Sequence, residues 1–436
     1  MGLLAQKPIS SNQTLSQPRI QSGPMLGYSD HREVLLWVQI TKEAEVSFRF
    51  WDLKNPKATR LTPRAKAKKE NGFVVKLVAD SLSPGFRYGY DLLINGSTQA
   101  LPQRREFQTL PLWQFRTDPP EMNFAVGSCA YVNEPFWDRP GKGYGDSMMV
   151  FQTVAAQKPD FMVWLGDNTY TREGDWNSWG GMLHRYTHTR SLPEMQALLS
   201  ATHHYATWDD HDYGPNDSDR GFWNKTTTSK AFDLFWGNPP WKPMGEGPAV
   251  NTFGWGDCQF FLLDDRWFRT PNALKDSTKA YLGQAQIDWL LDALTYSRAT
   301  FKFIACGGQV INDAGVFENY AAYPVERKML LERITKAKIH GVFFLSGDRH
   351  HAELCKLERP GTYPLYDLTT SPLTAGVHDP GNEPNTLRVP GTLYNGRNFA
   401  MINIRGTQKD RVMTLKIISN LGRLIWEKEI KAGELK

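Results

Sequence analysis

Residues 161–165 read Phe-Met-Val-Trp-Leu, apolar without a break, and run straight into Gly166-Asp167. A strand with no polar face has to be covered on both sides, which places it inside a layered α/β domain. Residues 301–306 (Phe-Lys-Phe-Ile-Ala-Cys) and 341–345 (Gly-Val-Phe-Phe-Leu) repeat the pattern. Helix signals separate such runs. Ile287, Leu290, Leu291 and Leu294 fall at i, i+3, i+4 and i+7 on one face, and residues 147–157 and 325–334 can form two more helices. In an alternating α/β pattern the active-site side chains sit at the carboxyl ends of the strands.

The chain before residue 123 has a different rhythm. Residues 33–40 are rich in β-formers, Val46, Phe48 and Phe50 alternate with polar positions, and residues 72–78 and 88–94 supply two further strands. Ser83-Pro84-Gly85 and Asn95-Gly96 are turn signals. This density of short strands predicts an immunoglobulin-like β-sandwich over residues 23–110. Residues 111–122 form a proline-containing linker, and residues 123–436 form the second domain, whose tail returns to β at 399–404, 411–418 and 424–430. Residues 1–22, rich in Ser, Gln and Pro, read as a flexible N-terminus. Leu4-Ala5-Gln6 resembles a cleavage boundary, so a secreted or periplasmic protein is expected.

Composition narrows the function. With 40% hydrophobic and 22% charged residues, this is an ordinary globular chain. No apolar stretch approaches the roughly 18–20 residues that span a bilayer. A net charge of +5 helps to draw in an anionic substrate but is no nucleic-acid-binding signature. The basic run over residues 54–69 reads as a solvated hairpin tip. Cys258 and Cys306 lie in apolar strands and are expected to be buried free thiols. The phosphate-loop, serine-elbow and zincin motifs are all missing from the sequence.

What remains is a set of metal-binding side chains at strand ends. Asp167 can bridge two cations or cap a helix. Tyr170, three residues on, can be a core aromatic or reach the same ion. A phenol ligates only a strongly Lewis-acidic ion, because its free pKa is near 10, which favours Fe(III). Cys129 follows a strand and Gly127-Ser128. Asp348 and His350 alternate after another strand and would point the same way if the chain stayed extended, leaving His351 facing away. Residues 206–217 hold the densest acid, Asp209-Asp210-His211-Asp212. Such acids repel one another unless cations neutralise them.

Taken in order, Gly127-Ser128-Cys129, Leu165-Gly166-Asp167 with Tyr170, residues 207–212, Leu262-Leu263-Asp264-Asp265-Arg266 and residues 346–350 make the chain resemble the PhoD-like alkaline phosphatases, a branch of the metallophosphoesterases. The resemblance implies a four-layer α/β/β/α catalytic domain behind the sandwich, with Fe(3+) and Ca(2+). It implies Cys129, Asp167, Tyr170 and Asp348 around the iron, with Asp167 bridging to calcium and Asp210, Asn216 and His350 as further ligands. His211 would stand over the leaving group, and Arg266, Arg172 or Arg349 would clamp phosphate. The chain departs from the family at Asn168 and Thr171, and the sequence leaves the choice between Asp210 and Asn216 open. The implied chemistry is in-line hydrolysis of a phosphate ester by a metal-held oxygen. A surface glycan-binding protein using some of its 15 tryptophans is the rival reading.

Overall fold

A computed structural model describes residues 17–102, 105–276 and 278–436. Leu4-Ala5-Gln6 and most of the expected flexible N-terminus lie outside the described residues. Three sheets organise the molecule. The first begins at an antiparallel edge of β21 (Leu424–Lys431), β20 (Val412–Ser419) and β19 (Asn398–Arg405). It continues through β10 (Met122–Gly127), β11 (Phe161–Leu165) and β12 (His203–Thr207). β1 (Ile20–Ser29), β2 (Val34–Ile40) and β6 (Val74–Ala79) complete its nine strands.

The second sheet has six strands in the order β13 (Asn251–Trp255), β14 (Cys258–Leu262), β15 (Phe301–Cys306), β16 (Val342–Ser346), β18 (Leu365–Thr369) and β17 (Glu353–Leu357). Alternation along β10 and β11 explains how the two sheets meet. Phe124, Val126, Phe161, Val163 and Leu165 share a core with Phe260 and Phe303 of the second sheet. Phe124 and Phe161 stack at 4.9 Å, as do Phe260 and Phe303. Each ring buried here is worth about 1.5–3 kcal/mol.

The intervening residues Ala125, Met162 and Trp164 face the other way, into a core shared with four helices. These are α1 (Met149–Ala156), α2 (Trp179–Arg190), α3 (Pro193–Ala201) and α5 (Lys225–Phe235), the short α4 being Asp210–Tyr213. On the second sheet, Phe261 points opposite to Phe260 and meets Trp289 of α6 (Gln284–Tyr296) at 6.3 Å. α7 (Pro324–Lys336) shares that core. The layers are therefore α/β/β/α, as expected. No local pattern announces α2 or α5. A Gly-Gly pair in one and four successive Thr and Ser residues in the other are weak helix formers, and both helices are held by packed side chains such as Tyr186 and Phe232.

β3 (Ala44–Asp52) and β7 (Arg87–Ile94) centre the third sheet, with β4 (Thr59–Leu61), β5 (Ala65–Ala67), β8 (Ser97–Thr98) and β9 (Glu106–Gln108) at its margins. Its inner residues Phe48, Phe50 and Tyr90 pack on Leu36, Val38 and Leu77 of β2 and β6. The sandwich is present, but one of its two sheets is the end of the nine-stranded sheet. β1 pairs in parallel with β12, Leu26 opposite His203, so hydrogen bonding is continuous across the expected domain division. β2 is buried on both faces for the same reason, with Leu36 in the sandwich core and Trp37 against Phe235 of α5.

Candidate metal centre

Four strands of the two central sheets, β10, β11, β12 and β16, end within touching distance of one another. At Gly166 (φ +97°) an added Cβ would lie 2.6 Å from the Cβ of Asp209, and at Gly347 one would lie 2.6 Å from Ser128 Oγ. Only glycine lets these ends approach so closely. Just beyond them, Cys129, Asp167, Asp348 and His350 adopt left-handed backbone with φ of +58°, +51°, +62° and +57°. Such conformations cost about 1–3 kcal/mol apiece and gather where function demands them. For Asp348 and His350 this corrects the extended-chain expectation. Both residues line one cavity with the chain coiled at each position rather than extended.

Cys129 is fully buried, its Sγ 3.7 Å from Asp167 Oδ2, and it accepts a hydrogen bond from Ser371 Oγ at 3.1 Å. Ligand atoms of Cys129, Asp167 and His350 lie within 4.8 Å of one another, and so do those of Asp167, Asp210 and His211. Asp167 belongs to both groups. The hydroxyl of Tyr170 is 3.3 Å from His350 Nε2, and its ring packs, tilted by 30°, against His211 with centroids 4.3 Å apart. A cavity of about 690 Å³ opens over this floor, with Asp348 in its wall. Asn216 is in the same wall but exposed, and its amide donates to Asp217 Oδ1 at 2.8 Å.

Burial and mutual repulsion set the protonation states of the cluster. Burial, then Asp210, raise the Asp167 carboxyl well above its ordinary pKa. Burial and Asp210 push Asp348 up to about 7. Burial drives the Cys129 thiol up to about 12 and the His350 imidazole down to about 4. Asp210 differs: burial raises it, but His211, Arg266 and a 2.7 Å bond from the Asp217 N–H outweigh that and hold it below the carboxylate range. Acids packed this closely resist ionisation alone; a bound cation reverses the upward shifts of Asp167, Asp348 and Cys129 and reinforces the downward ones of His350 and Asp210, because it favours carboxylate, thiolate and neutral imidazole. The donor set therefore fits metal.

The acidic run 209–212 divides its labour. Asp210 faces the cavity. Asp212 accepts backbone N–H bonds from Asp209, Asn168 and Thr169 at 3.2, 3.2 and 3.0 Å, tying α4 to the turn after β11. Asp209 caps α4 and ion-pairs with Arg266 below the floor.

Arg266 itself needs correcting as a phosphate clamp. Its side chain is 1% exposed, and its guanidinium is spent on Asp209, on Glu318 at 2.8 Å and on Asp210 at 4.0 Å. Arg172 is also committed, to Asp138 and the Val132 carbonyl. Arg349 reaches the cavity wall yet donates to Gln309 and Glu383. His351 is fully buried beside Glu353, facing away as expected. Three wall residues carry no signal in the sequence: Tyr144, Lys279 and Glu318. Glu318 lies on a loop and accepts from Arg266, Arg269 and Asn272. None of the three comes directly after a buried strand, so no local pattern marks them.

Comparison with known proteins supplies the identity. The model of the PhoD-like phosphatase family matches residues 124–398. This chain belongs to the PhoD-like phosphatase family. Within the family, alkaline phosphatase D of Bacillus subtilis (strain 168) is 22% identical over an alignment of 331 residues that covers 63% of this chain and 53% of that protein. The chain thus spans about half the length of this curated relative. A solved structure of PhoD superposes with a TM-score of 0.74 at 17% identity, covering 93% of this chain and 91% of the other. Purple acid phosphatase PPD1 from yellow lupin (Lupinus luteus) seeds shares the fold more distantly, with a TM-score of 0.68 at 12% identity over 94% of this chain and 74% of that one. The PhoD-like match encloses every candidate ligand from Cys129 to His350.

Proposed function

We propose that this chain is a metal-dependent phosphoric ester hydrolase whose cations lie between Cys129 and Asp210. The observation that carries the reading is the double membership of Asp167, grouped with Cys129 and His350 on one side and with Asp210 and His211 on the other. That is the placement a bridging carboxylate needs in a two-metal site. Thiolate, phenol, carboxylate and imidazole from Cys129, Tyr170, Asp167, Asp348 and His350 suit Fe(III), and the oxygen donors Asp167 and Asp210 suit Ca²⁺. Between the two candidates for the second ion we choose Asp210, which is 4% exposed and already held as a carboxylate, over the outward Asn216.

Bound there, the cations would lower the pKa of water and neutralise charge on the phosphoryl oxygens. His211 has its backbone N–H on Asp167 Oδ1 at 3.2 Å and its ring fixed against Tyr170. From the cavity wall it can hand a proton to the departing oxygen. Arg266 acts from beneath as a positioning residue for Asp209, Asp210 and Glu318. The rival glycan-binding reading would require a decayed donor set, and the assembled groups speak against it. Export from the cytoplasm is part of the same proposal, and fractionation of host cells tests it: protein confined to the cytosol would end it.

Purified protein, assayed for bound iron and calcium, should hydrolyse p-nitrophenyl phosphate, its bis ester, or both. A metal-loaded sample that turns over neither refutes the assignment.

A further inference from the structure

We propose that Tyr144 is a substrate-binding residue, its hydroxyl anchored by His350 and donating a hydrogen bond to a phosphoryl oxygen; this rests on the phosphoester reading above. Tyr144 lies in a segment, residues 131–148, with neither helix nor strand. Its position is nevertheless built. Asn133 bonds both polar groups of Gly145, donating to its carbonyl at 2.7 Å and accepting from its N–H at 3.0 Å, and the Asp146 N–H donates to the Thr374 carbonyl at 2.9 Å. The phenol ring stands edge-on to Tyr131 at 5.0 Å and packs over Gly376, where a Cβ would come within 2.8 Å of it. Thus a residue 47% exposed is held in the cavity wall.

The direction of the protons supplies the chemistry. The Tyr144 hydroxyl lies 3.1 Å from His350 Nδ1, its one hydrogen-bond partner among the described residues. His350 turns Nε2 toward Tyr170, one of the proposed iron ligands. A neutral histidine that gives its Nε2 lone pair to a cation carries its proton on Nδ1, and that proton goes to an acceptor beside it. The phenol oxygen, 3.1 Å from Nδ1, is such an acceptor, beside the Gly376 backbone that also bonds this histidine. A phenol that accepts one bond still has its own O–H to donate, and what remains to receive it is the occupant of the cavity. A charged phosphoryl oxygen is the strongest acceptor available there. Lys279, with one N–H on the Asn272 carbonyl at 2.9 Å, and Arg349, which holds Gln309 and Glu383, keep further donors in the same wall, and Tyr144 adds its O–H to theirs.

Tyr144→Phe keeps the ring and deletes only this hydroxyl. Inorganic phosphate is the probe, titrated calorimetrically into the metal-loaded protein, with iron, calcium and thermal midpoint measured in parallel. The phosphate Kd is expected to rise about 10-fold, as for loss of one charge-assisted hydrogen bond, with metal content and midpoint at wild-type values. Gly145→Ala puts a Cβ 2.5 Å from the Tyr131 carbonyl oxygen, displaces Tyr144 and should weaken phosphate likewise. An unchanged Kd in Tyr144→Phe overturns the proposal, as does weakening matched by loss of metal, since Tyr144 would then only support His350. A wild type that neither binds phosphate nor hydrolyses phosphate esters refutes the proposed function, and this inference falls with it. An active wild type beside an indifferent Tyr144→Phe variant refutes this inference alone.

Discussion

Stripping the metal should make stability fall with rising pH in a way the loaded protein does not share. The cause is the raised carboxyls. Asp348 titrates near 7 in the metal-free fold, against an ordinary value of 3.8, through burial and then the charge of Asp210. A carboxyl with a raised folded-state pKa binds its proton more tightly folded than unfolded. The metal-free fold therefore loses stability as pH climbs from about 4 to about 7, and the loss is complete above that. About 3 pKa units amount to about 4 kcal/mol, an upper value because Asp348 is only partly buried. Between pH 5 and pH 8 about 2 of those units accrue, or about 3 kcal/mol. A protein of 436 residues unfolds with an entropy of about 0.9 kcal/mol/K, so this corresponds to about 3 °C in Tm. Asp167 is shifted in the same direction and adds to the effect. A cation favours the ionised acids and removes the term. Scanning calorimetry of chelator-treated and metal-replete protein at pH 5 and pH 8 reads it directly. The gap between the two forms should widen at the higher pH. A gap that stays constant or narrows would show that these carboxylates do not hold the ions.

Asp167→Asn should lower kcat by at least about 10³-fold, because one neutral amide replaces a bridging charge, while the fold persists, since Asn tolerates the left-handed backbone there; retained turnover in steady-state assays would remove Asp167 from the mechanism. Arg266→Met should cost about 3–5 kcal/mol in urea unfolding by stranding buried Asp209 and the carboxylate of Glu318, and a loss under about 1 kcal/mol would contradict its positioning role. If Tyr170 ligates ferric iron, the protein should absorb visible light through phenolate-to-iron charge transfer and Tyr170→Phe should lose the band. A colourless wild type carrying iron would overturn that ligation.

The sequence alone determined the buried strands and the acids at their carboxyl ends. Unbroken apolar runs such as 161–165 and 301–306 can be buried only between layers, and a Gly-Asp after such a run delivers a carboxylate to a sheet end whatever its neighbours are. Periodicity likewise specified α6, since Ile287, Leu290, Leu291 and Leu294 make one stripe. Tertiary structure decided which ends meet and what each side chain touches. The pairing of β1 with β12, and hence the fusion of the sandwich to the catalytic layers, depends on contacts between residues far apart in the chain. Arg266 became a buried counter-ion, Asp209, Asp210 and Asp212 parted toward three destinations, and Tyr144 came to rest on His350. Those outcomes turn on single backbone torsions and on charges brought close only by folding, and neither leaves a mark in local residue order.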